Sequence, residues 1–103
     1  MGMTWEDRPD ARWIILSGEL DHEGCALVHD EFQQVAEDSA HRVIVDFSNV
    51  PFVASNGLRL LLETHHQLRD AGRRLLVHNL QPAVYRVFAT TGIFDAIPEL
   101  EGA

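Results

Sequence analysis

Three short apolar runs, WIIL at 13–16, VIVDF at 43–47 and LLV at 75–77, alternate along the chain with three stretches whose apolar residues recur at helical spacing. The first run closes on Ser17-Gly18 and suits a buried strand better than a helix. After Asp21, residues Cys25, Val28, Phe32, Val35 and Ala36 fall on one face while Glu23, Asp30, Glu31 and Asp38 lie mostly elsewhere, which predicts a helix over about 22–38. VIVDF does not alternate, as expected of a strand in a sheet covered on at least part of both faces. From Ser55, residues Leu58, Leu61, Leu62, His65 and Leu68 share a stripe. On the other side Arg59 with Glu63, and His66 with Asp70, are spaced for i,i+4 pairing. Ala71-Gly72 ends this helix. Pro82 stands where a first-turn proline is tolerated, Val84, Val87 and Phe88 make a third stripe, and Gly92 stops it. A last apolar piece, Ile93 to Ile97, ends at Pro98.

This order predicts a single α/β domain over 1–103, with one mixed sheet and helices layered on it. Residues 43–79 form a strand–helix–strand unit, which crosses over right-handed into a parallel pair.

Composition narrows the function classes. A chain of 103 residues buries roughly 60–70% of its unfolded surface without metals or disulfides. The lone Cys25 has no partner for a disulfide, and no signal-peptide pattern precedes Trp13, so a reducing cytoplasm is expected. No apolar stretch approaches the ~18 residues of a membrane span. Glu6 stands where a myristoylation signal wants Ser or Thr, so direct membrane attachment is not expected either. All 8 basic residues are arginines, set against 16 carboxylates, for a formal charge of −8. No arginine cluster is denser than Arg73-Arg74, so a phosphate backbone meets net repulsion and nucleic acid is not an expected partner.

Candidate chemistry is sparse. The 6 histidines include no HExxH arrangement, and adjacent His65 and His66 point about 100° apart on a helix; no metal is expected. Neither a Walker-type loop nor a GxSxG elbow occurs. Cys25 falls on the buried face of the first helix, where a thiol is an inert small hydrophobe. The chain reads as a non-enzyme without a cofactor. Asp21 reads as a helix N-cap worth about 1 kcal/mol. Asp46, at the carboxyl end of a strand, lies near the usual ligand crevice of open α/β sheets, with a loop-bonding side chain as its plainer role. The segment FVASNGLRLLL, Phe52 to Leu62, reads as a strand end, a tight turn and the first turns of a helix, which presents backbone N–H groups to whatever binds there.

LSGELD at 16–21, RVIVDFSNVPFVASNGLRLLL at 42–62, AGRRLLV at 71–77 and NLQPAVYRVFATTGIFDAIPE at 79–99 together resemble the STAS domain of bacterial anti-sigma-factor antagonists. The resemblance implies a mixed, mostly parallel sheet of four to five strands with helices packed on it. It also implies a regulatory role: docking onto an anti-sigma factor with a kinase-type ATPase fold, undone by phosphorylation of a hydroxyl just before a glycine. Relatives carry Asp-Ser-Ser-Gly or Asp-Ser-Thr-Gly there; this chain has Ala54, Ser55, Asn56 and Gly57. Asn56 is therefore a degenerate phosphorylation site, with Ser55, one place early, as a possible shifted acceptor that is expected to cap the helix or face the interior. The partner surface implied is an exposed Asn56 with Ser55, Gly57, Leu58 and Arg59 beside it and Asp21 across the loop. A plainer account makes Asn56 a turn and N-cap residue. Two other functions resemble known uses of the domain: a subunit of a phospholipid transporter or stress-signalling assembly, and a nucleotide or small-molecule binding module.

Overall fold

The computed structural model describes residues 1–100. Its elements run β1 (Gly2–Arg8), β2 (Ala11–Ser17), α1 (His22–Glu37), β3 (Arg42–Asn49), α2 (Ser55–Asp70), β4 (Leu75–His78) and α3 (Pro82–Thr91), followed by a short 3-10 turn at Ile93–Asp95. The four strands form one sheet in the order β1-β2-β3-β4. β1 and β2 are an antiparallel hairpin, in register from Gly2 opposite Ser17 to Arg8 opposite Ala11. β2–β3 and β3–β4 are parallel. This is the mixed α/β sheet that the apolar runs predict.

Alternation within the strands divides the core. Ile14 and Leu16 of β2, Val43, Val45 and Phe47 of β3, and Leu75 and Val77 of β4 point to the face covered by all three helices, where they meet Phe32, Leu60, Leu61, Leu68, Val84 and Phe88. Phe47 and Phe88 lie edge to face at 5.6 Å, a geometry worth about 0.5–1.5 kcal/mol beyond area burial. The opposite face carries a smaller cluster, Ala11, Ile44 and Leu76, with Trp13 and Leu100 packed on it. Both faces of β3 are thus buried, which is why VIVDF does not alternate. The segment after Ile97 runs along the β4 edge: the Val77 N–H donates to the Pro98 carbonyl at 3.1 Å and the Leu100 N–H to the Val77 carbonyl at 2.8 Å. An otherwise open edge is covered there.

Three sequence expectations need correction. No strand is expected before residue 13, yet β1 occupies Gly2–Arg8. It is an edge strand, mostly exposed, and only Met3 and Met1 near it pack against the main core. Its pattern is therefore too polar to stand out. Helix α2 buries Gly57, Leu60, Leu61, Thr64 and Leu68, whereas Leu58, Leu62 and His65 of the expected stripe are only half-buried. Gly57 is buried by close backbone approach. Thr64 is buried because its hydroxyl donates to the Leu60 carbonyl at 2.8 Å, so neither position advertises itself as apolar. The expected Arg59–Glu63 and His66–Asp70 pairs do not form among the described residues; Asp70 instead lies 3.9 Å from Arg69.

Candidate functional site

Parallel strands bring the starts of α1 and α2 to the same end of the sheet, and a backbone zipper locks them together. The Gly18 N–H donates to the Asn49 carbonyl at 3.0 Å, the Leu20 N–H to Phe52 at 2.9 Å, and the Ala54 N–H returns to Leu20 at 3.0 Å. Leu20 and Val53 form an isolated parallel bridge. Gly57 fits because it has no side chain: a Cβ there would stand 2.9 Å from the Leu20 side chain and 2.9 Å from its carbonyl oxygen. Gly24, on α1, is pressed in the same way against the Glu19 carbonyl.

Asp21 is the N-cap of α1. Its Oδ1 accepts from the Gly24 N–H at 2.8 Å, as its sequence position predicts. The carboxylate is turned into its own helix and borders a depression with Met1, Glu19, Glu23 and Leu27. The groove that contains Asn56, a space of about 260 Å³, is bordered instead by His22, Cys25, Ala26 and His29 of α1 and by Arg59 and Glu63 of α2. The Asn56 Nδ2 and His22 Nδ1 lie 3.5 Å apart, at the outer limit for a hydrogen bond. His22, not Asp21, is thus the residue of α1 that faces Asn56. Sequence reading passed over it, although His22, Cys25, Ala26 and His29 lie on one line of a helix that starts at Asp21.

The N-cap of α2 is Ala54, which supplies no side-chain bond. Asn56 stands two residues past the cap and is half-buried rather than exposed. The plainer account of Asn56 as an N-cap is therefore incorrect. Ser55 is exposed and does not cap the helix, contrary to expectation. An α-helix leaves its first N–H groups without intrahelical acceptors, and the first turn of α2 carries no acidic residue. The helix dipole is therefore uncompensated beside Asn56. Leu58 is half-buried and Arg59 exposed on the groove rim.

Other candidates have structural roles. Burial, and then the Asp21 charge, push the Cys25 thiol above its ordinary value, which keeps it protonated and unreactive at neutral pH. The Asp46 Oδ1 accepts from the Ser48 N–H at 2.7 Å, which is the loop-bonding role. His78 meets the Trp13 ring edge-on at 5.5 Å. Among the described residues no cluster of three or more His, Cys, Asp or Glu is placed to hold a metal ion, and no helix is long and apolar enough to cross a membrane.

A four-stranded mixed sheet with three helices on one face, and two helix starts zipped at the carboxyl end of its parallel strands, defines a class of small α/β domains. A family model described as "Mlab, STAS domain" matches residues 4–99, and the chain belongs to the STAS domain family. It is 26% identical over 86 residues to the anti-sigma F factor antagonist of Paenibacillus polymyxa, covering 82% of this chain and 74% of that protein. An anti-sigma factor antagonist from Mycobacterium paratuberculosis superposes with a TM-score of 0.86 at 26% identity, covering 98% of this chain and 86% of that one. The anti-sigma factor antagonist SpoIIAA in its unphosphorylated form shares the fold, with a TM-score of 0.78 at 24% identity over 96% of this chain and 88% of its own. The chain is a STAS domain of the anti-sigma-factor-antagonist-like type.

Proposed function

We propose that this chain is a non-enzymatic, cytoplasmic anti-sigma-factor antagonist that binds an anti-sigma factor of kinase-type ATPase fold and is not switched by phosphorylation at position 56. The observation that carries this reading is the placement of Asn56 in the first turn of α2, facing His22 across the groove between the two helix starts. A hydroxyl there would accept a phosphoryl group and bring about two negative charges into a surface that is dry in the complex. An amide accepts none. Ala54 brings no carboxylate to orient an acceptor or a metal-bound nucleotide. The surface thus stays in its partner-competent form. Ser55, Gly57, Leu58 and Arg59 complete it, and Asp21 contributes by capping α1 and holding His22 in place.

The test is a pull-down with the purified chain, identification of the retained protein by mass spectrometry, and titration calorimetry against it with and without ATP. Tight binding to a kinase-type anti-sigma factor that persists after incubation with ATP supports the proposal. High-occupancy phosphate at Ser55 with loss of binding overturns the unswitched state. Retention of transporter or stress-assembly subunits in place of an anti-sigma factor overturns the partner assignment.

A further inference from the structure

Asn56 is followed by Gly57, whereas the other two asparagines of the chain, Asn49 and Asn79, are followed by Val50 and Leu80. The backbone nitrogen of the next residue can attack an asparagine side chain at Cγ and close a five-membered succinimide. A side chain on that next residue stands in the way of ring closure. Glycine has none and turns most freely. Of the three asparagines, Asn56 is therefore the one whose neighbour leaves the path open.

Two features of the fold bear on the reaction. The Gly57 N–H donates to the Ala54 carbonyl at 2.9 Å and shares that acceptor with the Leu58 N–H at 3.2 Å. Ala54 adds no side-chain cap, so freeing the Gly57 nitrogen breaks bonds to one shared carbonyl and no capping bond. The close contact of Gly57 with Leu20 opposes that opening and makes conversion slow on the scale of signalling. The second feature lies at the leaving group. Asn56 Nδ2 is 3.5 Å from His22 Nδ1 across the groove, and imidazole is the side chain best suited to pass a proton at neutral pH. His22 is exposed, so solvent restores its proton.

We propose that Asn56-Gly57 is a site of spontaneous deamidation, assisted by His22, that places a carboxylate where relatives carry the switch hydroxyl. The Gly57 nitrogen gives up its proton to water and bonds to Asn56 Cγ. The Cγ–Nδ2 bond breaks, and the nitrogen departs as ammonia with a proton delivered by His22. Water then opens the ring at either carbonyl, to aspartate or isoaspartate. The net change is amide plus water to carboxylic acid plus ammonia, with no oxidant or cofactor. Aspartate puts a negative charge into the groove bordered by His22, His29, Arg59 and Glu63. Isoaspartate also routes the backbone through Cβ, which lengthens the first turn of α2 beside Leu20. Each product brings charge to the surface that an amide leaves neutral. The chemistry stands on the Asn56, Gly57 and His22 geometry alone, while its effect on binding rests on the reading of Asn56 as the centre of the partner surface. A chain that phosphorylation does not switch at this position thus carries a slow, irreversible change of the same sign.

The test is incubation of the folded chain at neutral pH over weeks, followed by tryptic digestion. Fragment 43–59 carries both Asn49 and Asn56, so tandem mass spectrometry compares the two within one peptide, and isoaspartyl methyltransferase labels the isoaspartate. Asn56 should convert about tenfold or more faster than Asn49, whose follower is β-branched. His22→Ala and His22→Gln should each slow the conversion by about tenfold, since glutamine keeps a polar neighbour but passes no proton. Circular dichroism checks that both variants fold as the parent does. An intact Asn56 in the folded chain, beside a urea-unfolded sample that converts, would overturn the site. A rate retained in His22→Gln would overturn the proton transfer assigned to His22. The incubated chain should bind the anti-sigma factor retained in the pull-down about tenfold or more weakly than fresh chain. Conversion with unchanged affinity would uphold the modification site and remove Asn56 from the partner surface.

Discussion

Gly57 and Leu20 meet so closely that a single methyl on Gly57 would stand 2.9 Å from both the Leu20 side chain and its carbonyl oxygen. This contact holds the start of α2 against the loop before α1, and so holds Asn56 against His22. Three glycine-to-alanine changes separate this packing effect from backbone conformation. Gly57→Ala should destabilise the fold by about 1–3 kcal/mol through overpacking. Gly24→Ala should cost more, because the methyl would press on the Glu19 carbonyl oxygen more closely than a Gly57 methyl would on Leu20. Gly72→Ala has open space around it but a φ of +75°, for which about 1–2 kcal/mol is expected. Urea unfolding midpoints at unchanged m-value rank the three. A Gly57→Ala protein as stable as the parent would show that the zipper yields.

Asp21 caps α1 by accepting from the Gly24 N–H. Asp21→Ala should lose about 0.5–2 kcal/mol, while Asp21→Asn keeps an acceptor and should lose only a fraction of that. Thermal unfolding checks the difference. The Asn variant should also bind the partner as the parent does, since the carboxylate faces its own helix rather than the Asn56 groove. A large affinity loss in Asp21→Asn with an unchanged melt would place the carboxylate itself in the interface.

The buried strands and the three helices were legible because burial on a sheet or on a helix stripe imposes a period that local sequence must obey. β1 was not, since an edge strand buries little and Trp5 stays 45% exposed. The α2 stripe was displaced for a similar reason: Gly57 and Thr64 are buried through close approach and hydrogen bonding, which hydrophobic pattern cannot register. The start of α2 itself was legible from VASNG. Its neighbour across the groove was not, because the facing of His22 and Asn56 depends on bonds between Leu20 and the Phe52–Ala54 segment, more than thirty positions away in sequence. Asp21 satisfied the local cap rule, and that rule turned it away from the place where the resemblance put it.

Two titrating groups give the fold a defined acid response. Burial, followed by the neighbouring His66 and Arg69 charges, lowers the His65 pKa from its ordinary value. A histidine depressed in the folded state contributes stability that is complete above about pH 6.5 and is lost as pH falls through its folded value. Asp7 is also depressed, chiefly by its hydrogen bond from Arg12. Its contribution is present above about pH 4 and fades below that as the folded carboxylate protonates. Unfolding midpoints should therefore fall in two stages on acidification, the first reduced in His65→Gln and the second in Asp7→Asn. An NMR titration placing the His65 midpoint above the ordinary histidine value would contradict the first assignment.

The surface centred on Asn56 can be tested without disturbing the fold. Asn56 lies in the first turn of α2, which has no acidic residue and no side-chain cap. A carboxylate is favoured at such a helix start, so Asn56→Asp should melt at or slightly above the parent temperature. In the complex the same charge would be desolvated without a designed partner, which should weaken binding by roughly 1–3 kcal/mol. His22 offsets part of this where its ring donates to the new carboxylate, so the double variant Asn56→Asp with His22→Ala should lose more affinity than the single one. Titration calorimetry against the retained partner, paired with a melting curve for each variant, separates interface from fold. Unchanged affinity with an unchanged melt would place the partner surface elsewhere on the molecule and remove the central support for an antagonist that acts through the α1–α2 groove.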